Sequence, residues 1–192
     1  CNAYLVWADE QFQLTFLGTT LPTSWMITLD AAASFSMLVV VAAFWAWRAK
    51  RTGREPDELG KMIIGGVFTF AGGLCLVMAA APQGSGKIGL FWPVMFHLFN
   101  SIGFAHILPV SLALFTKVAP PRLNATVLGI YYLAFFAANK IVGTVGGWYS
   151  TMDTVQFWLL HVATAAVGLV AFVLFKLFLA PRMIASSAPQ PA

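Results

Sequence analysis

Six polar side chains sit where an apolar chain has least use for them. Asp30, His97, Asn100, His106, Asn139 and Lys140 all lie inside long hydrophobic runs. An ionisable group at membrane depth is costly and usually faces a bundle interior or a water-filled path. Histidine changes its charge in the physiological pH range, so His97 and His106 are candidate proton carriers. Asp30 is the one carboxylate of its run and joins them as a third proton-coupling candidate. Asp30 lies about 10 Å, and Lys140 about 13 Å, from the same membrane boundary at 1.5 Å per residue. A carboxylate and an amine at matching depth either neutralise each other as a structural pair or hold opposite ends of a zwitterion. Lys140 could also snorkel outward. For each histidine the alternative is a neutral ring bonded to a neighbour. His97, Asn100 and Phe104 follow helical spacing and share one face. Asn100 and Ser101 could equally join neighbouring helices. Tyr131 is a candidate ring with a polar handle, or an interfacial tyrosine.

The chain that must position these groups is built for lipid. Hydrophobic residues make up 59% and charged residues 9%, with mean hydropathy +0.80; soluble domains carry about 25% charged residues. A span takes about 20 apolar residues. Five complete spans are expected at about 24–47, 62–81, 90–116, 124–148 and 155–179. Residues 1–8 read as the last turns of a span whose start lies upstream. Thr23 or Ser24 is expected to cap the first full span. The glycine-rich second span, with no internal charge, reads as a peripheral packing helix. The bundle occupies residues 1–180, and the Pro-, Ala- and Ser-rich tail 181–192 is expected to be disordered.

Basic residues collect in the loops 48–61, 117–122 and 176–182. By the positive-inside rule these loops and the C-terminus are cytoplasmic, as in a multi-pass protein of a bacterial-type inner membrane. Their place between spans argues against a nucleic-acid partner. Cys1 and Cys75 have no metal-ligand partners at useful spacing, so no metal or cofactor is expected. No hydrolase, kinase or dinucleotide motif is present, and no enzyme is expected.

One truncated span plus five, with basic hairpin loops on one side, matches the C-terminal half of a twelve-helix major facilitator. A more specific string runs through residues 20–147: P-x-x-W at Pro22, E-P-D-E-x-G-K-x-x-x-G at Glu55, S-x-G-x-x-x-x-x-P-V-S-L at Ser101, K-V-A-P-P-R at Lys117 and G-x-Y-Y-L at Gly129. Together these resemble the proton-dependent oligopeptide transporter family. The resemblance implies proton-coupled uptake of peptides or peptide-like molecules, with a substrate, protons, the bilayer and an N-terminal half as partners. It places Asp30 where the family has Asn, and Tyr131 where it has Trp. Phe104 stands where the family's amine-binding Glu would follow S-x-G. With Asn100 and Lys140, these three form the expected substrate-binding set. The rival reading is a membrane scaffold without transport, or a facilitator for another solute.

Overall fold

The computed structural model describes residues 2–16, 18–82 and 86–179. The tail expected to be disordered, 181–192, lies outside the described residues.

Six helices follow one another: α1 (Asn2–Gln11), α2 (Trp25–Thr52), α3 (Glu58–Ala80), α4 (Phe91–Val118), α5 (Asn124–Gly147) and α6 (Thr154–Leu174), the last running on into a π-helical turn, Phe175–Leu179. Among the described residues five segments, one for each of α2 to α6, are long and apolar enough to cross a membrane. The expected all-α architecture, a short helix followed by five spans, is the one observed. Between α1 and α2 the chain makes a small hairpin, Thr15–Phe16 against Thr19–Thr20. Gly18 supplies its turn at φ +81°, a conformation that favours glycine.

The helix ends follow from local chemistry. Arg and Lys fill the last turn of α2, where cations suit the negative end of the helix dipole. Gly53, at φ +63°, then closes the helix by donating its N–H to the Ala49 carbonyl. Ala119 is extended before Pro120, as a residue preceding proline prefers, and α4 stops there. Asp153 caps α6, its carboxylate accepting from the backbone N–H of Val155 and Gln156 at 3.0 and 3.2 Å. At α2 the expected cap is not made. Ser24 contributes no side-chain bond to the helix, and the Thr23 hydroxyl donates instead to the Asp9 carboxylate.

The glycine-rich α3 is central rather than peripheral. It packs against both α4 and α6, and its glycines explain why. A Cβ on Gly65 would stand 2.9 Å from the Gly103 carbonyl, and one on Gly103 would stand 2.8 Å from the Gly65 carbonyl. Gly66 and Gly73 face Leu169 and Val162 of α6 in the same way. Without side chains at these points the backbones approach closely, and lipid offers no hydrophobic force to do that work otherwise. The absence of internal charge, read from sequence as peripheral, is the mark of a helix enclosed by its neighbours.

Two fastenings hold the opposite ends of the bundle. At one end an aromatic core gathers Tyr4, Trp7 and Phe12 around Phe157 and Trp158. Trp7 and Phe157 are fully buried, and their rings meet neighbours edge-on or tilted. At the other end, the carboxylates of the α2–α3 loop and of the first residue of α3 each pair with a different lysine. Glu55 pairs with Lys61 of α3, Glu58 with Lys117 of α4 at 2.9 Å, and Asp57 with Lys176 beyond α6. Helix α5 is the loosest element, with none of its residues buried.

Candidate functional site

At the aromatic end, α2 and α4 bring Asp30 and His97 together. His97 Nδ1 and Asp30 Oδ1 are 2.9 Å apart, and His97 Nε2 lies 2.9 Å from the Tyr4 hydroxyl. With the proton on Nδ1, the ring donates to the carboxylate and accepts from Tyr4. His97 is 3% exposed, whereas the Asp30 side chain keeps 49% of its surface open. The three groups line a cavity of about 560 Å³, which Asn100, Thr69 and His161 also border. Its apolar walls include Phe96 and Trp158, and among the described residues neither Lys nor Arg lines it.

The chain Tyr4–His97–Asp30 tolerates a second proton on the imidazole. A charged ring would donate from both nitrogens, to the Asp30 carboxylate and to the Tyr4 oxygen, and the hydroxyl has only to turn round. His106 is built differently. Its Nε2 accepts the indole N–H of Trp45 at 3.0 Å, and its Nδ1 donates to the Ile102 carbonyl at 2.8 Å. Both nitrogens of the neutral ring are satisfied, and a proton on Nε2 would set N–H against N–H. His106 also stacks on Phe68, the two planes inclined by 13°.

The other expected residues are dispersed. Lys140 is exposed on α5, and among the described residues the partner of Asp30 is His97, so the Asp30–Lys140 pair is not formed. Asn139 donates to the Phe135 carbonyl on its own helix. Tyr131 lies near the basic end, 2.9 Å from Ser111 Oγ of α4, while Ser111 donates to the Leu108 carbonyl. Phe104 is 37% exposed and stands outside the lining of the Asp30 cavity, one turn beyond Asn100. Ser101 is fully buried and joins α4 to Ser34 of α2 at 3.2 Å.

Sequence reasoning passed over Tyr4 and Trp45. Tyr4 sits in the short first helix, where the polar-tipped ring among apolar residues was the available signal. For Trp45 there was no signal, because nothing in the sequence pairs it with a histidine 61 positions away.

No protein-family model matches the chain. A peptide transporter of Yersinia enterocolitica, YePEPT, is 27% identical over 151 residues, covering 76% of this chain and 29% of that protein. An uncharacterized transporter of Bacillus subtilis, YclF, is 28% identical over 173 residues, covering 88% of this chain and 32% of that protein. Among solved structures, the peptide transporter POT in complex with sulfate superposes with a TM-score of 0.79 at 22% identity, over 93% of this chain and 35% of that one. The chain spans about a third of the length of the relatives it matches. The resemblance first carried by the motifs is borne out: in sequence and in fold, this chain is similar to about a third of a peptide transporter of the POT type.

Proposed function

We propose that the chain is the C-terminal half of a secondary transporter that carries peptides or peptide-like small molecules across the cytoplasmic membrane together with protons, its basic loops and C-terminus facing the cytoplasm. The observation that carries this reading is the Tyr4–His97–Asp30 chain at the wall of a 560 Å³ cavity. Asp30 offers a substrate ammonium a charged partner, and His97 behind it holds a proton in either ring state without losing a bond. Among the described residues the cavity lining carries no Lys or Arg, so the carboxylate end of a peptide would be met by another part of the whole protein. Transporters of this kind bind near the midplane between two repeats and rock about the site. The names of the relatives support peptide transport; the exposed face of α5 supports a missing neighbour.

Uptake by the full-length protein in proteoliposomes tests the reading. Asp30→Asn should abolish uptake driven by a pH gradient while expression and folding stay normal. Full uptake with unchanged pH dependence would remove the coupling role. A second reading, a membrane scaffold without transport, is favoured by the phenyl ring at Phe104 in place of the family's carboxylate. It predicts that the wild-type protein moves no peptide under any gradient.

A further inference from the structure

The basic end of α2 carries a cluster that the transport reading does not use. Arg48, Lys50, Arg51 and Arg54 are all exposed. The acidic residues nearest in sequence do not neutralise them, because Glu55, Glu58 and Asp57 are engaged by Lys61, Lys117 and Lys176. None of the four makes an ion pair among the described residues. Two of the guanidinium groups instead lie over indole rings: Arg51 is 5.4 Å from the Trp47 ring centroid and Arg48 6.0 Å from that of Trp45. Lys61 also lies over the Trp45 ring, 5.6 Å from its centroid. Trp47 is 54% exposed, at the level where amphipathic rings favour the membrane–water boundary.

Directly below this cluster a cleft of about 440 Å³ opens between α2 and α4. Leu38, Val41, Ala42, Pro109 and Val110 give it largely apolar walls, which His106 interrupts with its ring held by Trp45 and the Ile102 carbonyl, and its mouth is Trp45 with the Glu55–Lys61 pair. That pair is neutral as a unit, and Arg48, over the Trp45 ring, brings the charge of the basic cluster to the mouth. An apolar trough capped by unpaired cations and rings has the complementarity of one molecule class: an acyl chain joined to an anionic headgroup.

We propose that the end of α2 and the α2–α4 cleft form a binding site for an anionic phospholipid from the adjoining leaflet. The phosphate sits among Arg48, Arg51 and Arg54, and one acyl chain lies along Leu38, Val41 and Val110. Basic clusters just outside a span attract anionic lipids, each Lys or Arg contributing about fivefold in affinity. The site is independent of the Asp30 cavity, which lies at the other end of the bundle.

The test uses the full-length protein in mixed micelles holding equal phosphatidylglycerol and phosphatidylcholine, with retained lipids counted by native mass spectrometry. Wild type should retain phosphatidylglycerol preferentially. Arg48→Gln with Arg51→Gln should lower that preference roughly fivefold for each charge removed, and Trp47→Leu alone should lower it as well. Lys117→Gln, which removes a cation already paired with Glu58, should leave it unchanged. Equal retention of the two lipids by wild type would overturn the proposal, as would an unchanged preference in both variants. So would displacement of the lipid by millimolar inorganic phosphate, which would make the cluster a site for a free anion.

Discussion

Gly103 gives the sharpest test of how this bundle is held. Alanine is normally the better helix residue, and a Gly→Ala change inside a helix stabilises by about 1 kcal/mol where space is open. At Gly103 the space is closed. An added Cβ would stand 2.3 Å from Thr69 Oγ1, 2.8 Å from the Gly65 carbonyl and 3.1 Å from the Thr69 amide nitrogen. The Thr69 hydroxyl could turn away, at the cost of its bond to the Gly65 carbonyl. The two backbone atoms cannot, so α3 and α4 must separate. Overpacking of this kind costs about 1–3 kcal/mol. Gly168 of α6 is the matched control, since a Cβ there meets nothing within 4 Å. Gly103→Ala and Gly168→Ala should therefore move stability in opposite directions, with a difference of about 2–4 kcal/mol. Equilibrium unfolding of the full-length protein in SDS-containing mixed micelles measures both. A Gly103→Ala protein as stable as the Gly168→Ala protein would refute the close α3–α4 packing.

Two further outcomes follow, the first from the geometry and the second from the resemblance. Trp45→Phe keeps the ring but removes the N–H that His106 Nε2 accepts, leaving that nitrogen without its partner; stability should fall by about 1–3 kcal/mol, while pH-driven uptake should keep its pH profile if His106 carries no transported proton. Phe104→Glu, measured by competition between a dipeptide and its N-acetylated form, should raise affinity for the free amine, because a carboxylate bonds an ammonium by about 1.5–3 kcal/mol against about 0.5–2 for a ring face. An unchanged preference would show that Phe104 stands away from the substrate path.

The span count was legible because hydropathy and basic loops reported the same alternation independently. Helix bounds shifted by a few residues, as at α2, where the polar end Arg48 to Thr52 continues the helix until Gly53 stops it. The rank of α3 was not legible. A glycine-rich apolar segment suits both an outer helix and an enclosed one, and only the facing of Gly65 on Gly103 decides between them. In the site, single residues were legible by their cost in lipid, and their pairings were not. Depth along two separate spans suggested Lys140 for Asp30. Yet depth says nothing about which helices are neighbours: α2 packs against α4, and that brings His97, not Lys140, to the carboxylate.

The bundle is fastened at one end by ion pairs and at the other by rings, and the two fasteners answer to different surroundings. The Lys117–Glu58 pair is largely exposed, with 72% of the lysine side chain open to its surroundings. Exposed pairs of this kind contribute only about 0–1 kcal/mol each, and the screening length shrinks to about 3 Å in molar salt. Raising ionic strength therefore loosens the loop that ties α3, α4 and the end of α6 together, and leaves Trp7 and Phe157 as they were. Salt therefore acts on one fastening of this bundle and not on the other, while the glycine contacts between α3 and α4 are indifferent to it.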